Sequence, residues 1–222
     1  MDAVLFDIGS TLVQGPQLSP SKMIVRLLGL DDSEKERVAD IILCRSIADC
    51  DHLCVTVRES LPAVNFSEEQ IKRIWLDQET APKEIPGATQ AVKHIKSSGL
   101  KIGLVSDIWQ PYYDGFLSAC GELASLVDYS VLSFREGARK PSALLFEKAL
   151  ESLGAVPERT WMVGDTYETD IDPAIKMGMR TVWVLNRPEK ECRAMAEILK
   201  GRLVRPDIIV DSIADLVGMD LT

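Results

Sequence analysis

Three aspartates stand directly after, or one small residue after, short apolar runs. Asp7 follows Ala3-Val4-Leu5-Phe6, Asp107 follows Ile102-Gly103-Leu104-Val105-Ser106, and Asp165 follows Trp161-Met162-Val163-Gly164. Taken singly, each is explained by the habit of Asp and Ser to cap helices or open turns. Taken together they describe a site. Carboxylates delivered by different strands, Asp7 and Asp165, repel unless a cation lies between them, and oxygen-only ligation suits Mg²⁺. Asp170, five residues beyond Asp165, is placed to hold a metal-bound water from the second shell. A carboxylate such as Asp7 can also attack phosphorus, forming an aspartyl-phosphate that water later cleaves. The Ser106 hydroxyl and the amides after it suit phosphoryl oxygens. Lys140, followed by Pro141 and a helix start, is the lysine best placed to neutralise transition-state charge.

Such residues need a frame that brings them to one rim. Further apolar runs occur at Tyr129-Ser130-Val131-Leu132, Thr181-Val182-Trp183-Val184 and Ile208-Ile209-Val210. Runs apolar on both faces read as strands of a buried parallel sheet. Helix-like segments fall between them at about 87–98, 142–153, 168–178, 189–200 and 212–218, several ending at Gly99, Gly154, Gly178 or Gly201. Alternation of strand and helix implies a doubly wound α/β sheet, whose ligands sit outside the carboxyl ends of the strands.

One interval breaks that rhythm. From about Val13 to Ile85 only helical periodicity is legible, carried by Leu27, Leu28, Val38, Ile41, Ile42 and Ile47, then by Ile71, Ile74 and Trp75. Turn signals at Gly15-Pro16, Ser19-Pro20 and Pro86-Gly87 bracket it. An all-helical insertion over 14–85, dividing a core of 1–13 and 86–222, is the economical reading.

Composition narrows the partners. The net charge of −9 argues against nucleic acid or an anionic membrane surface, and an anionic substrate must be drawn by local charge. No stretch approaches a membrane span and the N-terminus lacks a signal-peptide pattern, so the expected location is cytoplasmic. Cys44, Cys50 and Cys54 cluster around His52 at spacings that match no common zinc set, and reduced thiols are expected.

These residues resemble the four motifs of the haloacid dehalogenase-like (HAD) hydrolases, in order and over nearly the whole chain. Phe6-Asp7-Ile8-Gly9-Ser10-Thr11-Leu12 resembles the first and Leu104-Val105-Ser106-Asp107 the second. Arg139-Lys140-Pro141 resembles the third, and Gly164-Asp165-Thr166-Tyr167-Glu168-Thr169-Asp170 the fourth. The resemblance implies a Rossmann-like HAD core with a helical cap inserted after the first motif. It also implies a Mg²⁺-dependent phosphatase acting on a small phosphorylated metabolite. Asp7 and Lys140 would be catalytic, Ser106, Asp107 and Lys140 would hold phosphate, and Asp7, the Gly9 carbonyl and Asp165 would hold metal with Asp170 behind them.

The chain departs from that pattern at Gly9, where the family's phosphatases usually carry a second aspartate as general acid. The backbone carbonyl needed for metal survives; a group nominally worth about 10²–10⁴ in rate does not. Three readings follow: a phosphatase with another proton source such as His52 or ordered water, a weakened phosphometabolite-binding or partner-binding protein, and a 2-haloacid dehalogenase-type enzyme. Retention of Asp165 and Asp170 disfavours the last, because halide displacement has no use for a metal-binding acid cluster. Asp107 suits a helix N-cap before Trp109-Gln110-Pro111, or pairing with Arg139, as well as it suits a ligand. Trp109, Tyr112 and Tyr113 read as packing. Arg45, Arg58 and His52 in the insertion read as solvated helix faces with an opening for contact to a leaving group.

Overall fold

The computed structural model describes residues 1–14 and 18–222, so the turn signal at Gly15-Pro16 lies outside the described residues. In chain order the strands are β1 (Ala3–Phe6), β2 (Val13–Gln14), β3 (Lys83–Glu84), β4 (Lys101–Ser106), β5 (Tyr129–Leu132), β6 (Thr160–Gly164), β7 (Arg180–Val184) and β8 (Ile208–Val210). Six of them form one parallel sheet in the order β5-β4-β1-β6-β7-β8. The chain starts at the centre, builds to one side, then crosses back and builds to the other. The switch point therefore falls at β1, between β4 and β6. All four β1 residues are buried, since helices cover both sheet faces and no polar alternation is left to see.

Register does the positioning. Phe6 lies beside Leu104 on one flank and Val163 on the other. Extending that register sets Asp7 level with Val105 and Gly164, one residue short of Ser106 and Asp165.

Around the sheet lie α5 (Ala88–Ser97), α6 (Gln110–Ala119), α7 (Gly121–Ser125), α8 (Ser133–Glu136), α9 (Ala143–Leu153), α10 (Asp172–Lys176) and α11 (Pro188–Leu199), all numbered after the insertion helices named below. The expected stops at Gly99, Gly154, Gly178 and Gly201 all carry positive φ. Two expected helices differ in kind. The segment read as 168–178 opens as a π-helical turn at Tyr167–Ile171 before α10, and 212–218 contracts to a 3-10 turn at Ile213–Leu216. Helix α6, anticipated only through the N-cap reading of Asp107, turns Tyr112, Tyr113 and Phe116 inward, while Asp114 and Gly115 interrupt its apolar pattern.

The interval without legible strands does contain two. β2 and β3 pair antiparallel, Val13 with Glu84 and Gln14 with Lys83, and two-residue strands are too short to show a period. Between them the described residues form α1 (Pro20–Leu27), α2 (Lys35–Leu43), α3 (Cys50–Ser60) and α4 (Glu68–Glu79). Their starts are chemically marked. Ser19 caps α1 with Pro20 in the first turn, Asp49 caps α3, and Ser67 and Gln70 form a capping box on α4. Their buried faces merge with one face of the sheet in a single apolar cluster. The seam is tight where α4 meets α6: the Trp75 and Trp109 rings meet edge-on at 5.9 Å, and a Cβ on Gly115 would lie 2.0 Å from the Glu79 carbonyl oxygen. Only glycine permits that approach.

Candidate active site

The strand ends converge on one buried polar cluster. Ser106 Oγ donates to Asp7 Oδ1 at 3.0 Å, and Lys140 Nζ donates to the same oxygen at 2.7 Å. Lys140 also reaches Asp170 Oδ1 at 2.6 Å. Carboxylate oxygens of Asp7, Asp165 and Asp170 all lie within 4.8 Å of one another. Asp170, read from sequence as a residue behind the metal ligands, thus stands in the same cluster as Asp7 and Asp165.

Local structure explains how these groups fit. Asp170 is presented by the π-helical turn, and its Oδ2 accepts the Thr166 amide at 3.0 Å. A Cβ on Gly164 would stand 2.5 Å from the Asp170 side chain, so the glycine of the Gly-Asp pair makes room for the second acid. Asp165 Oδ2 takes the Arg187 guanidinium, with Nε at 2.8 Å and Nη2 also bonded. Gly9 and Ser10 continue the turn after β1, Ser10 at a positive φ of 63°. Among the described residues no hydrogen bond ends on the Gly9 carbonyl oxygen, and a Cβ at Gly9 would meet nothing within 4 Å.

Burial sets the electrostatics. Desolvation and the Asp7 charge push Asp165 up to about 6, against the pull of Arg187. Asp170 is raised for the same first reason, with Lys140 opposing. Burial by itself would lower Lys140, but Asp170, Asp7 and Asp107 outweigh it and hold the ammonium charged. Three carboxylates facing two cations form an all-oxygen donor set of the kind a hard divalent cation takes. With the Gly9 carbonyl, these residues fit Mg²⁺.

Above the cluster opens a cleft of about 650 Å³, lined on the core side by Gly9, Ser106, Asp107, Tyr112 and Arg187 and on the insertion side by Ser19, Ser21, Leu43 and Gln78. Asp107 is not a helix cap: α6 begins after Trp109 with no side-chain cap, and Asp107 Oδ1 instead accepts the Lys140 backbone N–H at 2.8 Å. Arg139 turns away to Glu36 and Asp40 of α2. Arg45, Arg58 and His52 are solvent-exposed, the main reading of them, and none lines the cleft. His52 is exposed and accepts the Ala48 amide, Arg45 bonds Ser60, and Arg58 pairs with Glu68. Cys44, Cys50 and Cys54 are free thiols outside any metal-suited group among the described residues. Trp109, Tyr112 and Tyr113 are buried as expected, though Trp109 and Tyr112 also reach the cleft.

Sequence reasoning overlooked Arg187 and Asn186, whose Nδ2 donates to the Ser10 carbonyl. Their signal is present: both follow the apolar run of β7, where the strand-end rule applies as it does after β1.

The comparisons agree with this geometry. Residues 137–216 match the HAD-hydrolase-like family. The chain is 34% identical over 101 residues to glyceraldehyde 3-phosphate phosphatase of Pyrococcus furiosus, covering 46% of this chain and 42% of that protein. It is 32% identical over 141 residues to human glycerol-3-phosphate phosphatase, covering 58% and 42%. The chain thus spans less than half the length of these relatives. Among solved structures, a HAD phosphatase from Thermococcus onnurineus superposes with TM-score 0.60 at 23% identity, over 99% of this chain and 97% of that one. L-2-haloacid dehalogenase from Xanthobacter autotrophicus gives 0.62 at 16%, over 99% and 98%. A HAD family enzyme of Bacteroides thetaiotaomicron in complex with magnesium and inorganic phosphate gives 0.60 at 15%, over 83% and 94%. Residues 137–216 thus match the HAD-hydrolase-like family, and the chain as a whole shares the fold of these HAD enzymes.

Proposed function

We propose that the chain is a Mg²⁺-dependent phosphatase of small phosphorylated metabolites, working through an aspartyl-phosphate on Asp7. The observation that carries this reading is the Asp7 carboxylate, held by Ser106 and Lys140 with Asp165 and Asp170 in the same 4.8 Å cluster. Asp7, Asp165 and the Gly9 carbonyl would hold the metal with Asp170 in support. When bound, it offsets the charge of the three carboxylates and polarises the phosphoryl group. Ser106 and Lys140 orient and neutralise the phosphoryl oxygens while Asp7 attacks phosphorus in line with the departing oxygen. Residues 14–85 serve as the cap over the core of 1–13 and 86–222, shielding the site from water. Relatives named for glyceraldehyde 3-phosphate and glycerol 3-phosphate direct the substrate search to three-carbon phosphate esters. Halide displacement at carbon is disfavoured, since it needs no metal for the Asp7, Asp165 and Asp170 cluster to hold.

The test is a Mg²⁺-dependent screen over small phosphate esters, with Asp7→Asn as blank and chloride release from 2-chloropropionate measured beside it. Asp7→Asn is expected to lower phosphate release by on the order of 10⁴-fold, as loss of a nucleophile does. An unchanged rate in that variant removes the reading.

A further inference from the structure

Gly9 leaves the proposed reaction without its usual proton donor, and the cleft contains a carboxyl group with one oxygen unassigned. Asp107 follows Ser106 at the end of β4, next to the hydroxyl that touches Asp7. Its Oδ1 is taken by the Lys140 backbone N–H at 2.8 Å. Its Oδ2 has no hydrogen-bond partner among the described residues, and it is not a sealed orphan either, since Thr89 Oγ1 alone holds that status there. Asp107 is among the residues that line the cleft beside Ser106, the open space nearest Asp7. On these contacts, and given the phosphatase reading above, we propose that Asp107 is the general acid of this protein, donating from Oδ2 to the oxygen that leaves phosphorus.

The surroundings suit a carboxyl that carries a proton. Asp107 is raised from the ordinary carboxylate range, first by desolvation and then by the Asp7 charge, while Lys140 and Arg139 pull the other way. The Cys44 thiol, just past α2, also feels the Asp107 charge and is itself raised, chiefly by burial. Other ionisable groups on the cleft wall fit less well. Tyr112 is raised by burial and by Asp7, which makes its phenol a poorer acid still. Glu189 and Lys190 stand solvent-exposed on the first turn of α11.

The step balances. Asp7 forms its bond to phosphorus as the phosphorus–oxygen ester bond breaks, and the departing oxygen keeps the electron pair and takes the proton from Asp107. In the second half-reaction water attacks the same phosphorus, Asp107 takes the proton from that water, and the bond to Asp7 breaks to release phosphate. Both aspartates return to their starting forms. Fixing Oδ1 on the Lys140 amide leaves the acid one free oxygen and one orientation, and ties it to the loop that carries the lysine.

Asp107→Asn tests this directly, because the amide oxygen still accepts the Lys140 N–H while the acid is gone. Turnover of an alkyl phosphate, whose leaving group must be protonated, should fall by about 10²–10⁴-fold, and that of 4-nitrophenyl phosphate by about threefold or less. Adding Gly9→Asp to this variant, where the space is open, should restore the alkyl-to-aryl ratio. The inference is overturned by an equal loss on both esters, by no loss, by failure of the double variant to restore the ratio, or by Tyr112→Phe showing the selective loss instead. Wild-type protein inactive on every ester, or Asp7→Asn that turns over as wild type, overturns the phosphatase reading itself, a result distinct from a flat Asp107→Asn effect.

Discussion

The two walls of the cleft are built on different principles. The core wall carries its charges where water cannot reach them: the Lys140 side chain is 3% exposed and that of Asp170 1%, and both are bonded at the meeting point of four strand ends. The insertion wall contributes Ser19, Ser21, Leu43 and Gln78, with no acid or base among them. Its charged residues are spent on outward pairs such as Arg58 with Glu68 and Lys72 with Asp51. In a buried setting each charge depends on its partners, and removing one leaves the others stranded. On an exposed helix each pair is screened and nearly independent. The lesson is one of division: the buried charges that the proposed chemistry uses sit on one wall, while the other wall supplies neutral polar and apolar lining.

That division can be broken most decisively at Lys140. Lys140→Met leaves the Asp7 and Asp170 carboxylates buried without their cation, and should cost about 3–5 kcal/mol in urea unfolding. A midpoint equal to wild type would show that the core wall is not a dependent network.

Next in size is a pH effect on the same wall. The Asp165 carboxyl has a folded value of about 6 against the ordinary value of 3.8. A carboxyl raised in the folded state favours folding when protonated, so its contribution is full below about pH 4 and lost as pH rises to about 6. In metal-free buffer the wild type should therefore gain about 2 kcal/mol relative to Asp165→Asn on going from pH 7 to pH 4. A stability difference that does not change with pH contradicts the desolvation argument.

At the seam between the walls, Gly115→Ala forces α6 off the Glu79 carbonyl. It should lower stability by about 1–3 kcal/mol, as overpacking does, and shift the Trp75–Trp109 fluorescence. An unperturbed spectrum and melting temperature would show the seam to be loose. The smallest effect is expected from Arg139→Ala, which cuts the ion pairs to Glu36 and Asp40, themselves 67% and 62% exposed. It should cost about 1 kcal/mol or less and show mainly as a salt-sensitive rise in KM. A loss as large as that at Lys140 would erase the contrast between the walls.

Much of the core wall is legible in the amino-acid sequence. Asp7, Ser106, Asp107 and Asp165 follow apolar runs, and a parallel sheet sends such residues to one edge whatever its other details. Asp170 is legible as an acid but not as a member of the cluster, because its approach depends on the π-helical turn and on the missing Cβ of Gly164. The insertion wall is barely legible. Helical periodicity marks which face is buried, but the same pattern cannot say which polar residue looks into the cleft. Thus Gln78 carries no signal of its own, while His52, Arg45 and Arg58 stand out by residue type and lie elsewhere.

By itself the sequence determined the alternation of strand and helix, the positions of most stops, and the absence of a carboxylate at Gly9. These are local properties, written in apolar period, positive-φ glycines and residue identity. Tertiary structure decided what each polar group touches. Asp107 caps no helix and bonds the Lys140 amide instead, Arg139 leaves the site for α2, and Arg187 arrives at Asp165 from a strand end 22 residues away. Such choices follow from strand order and register, which bring together segments that no local pattern connects.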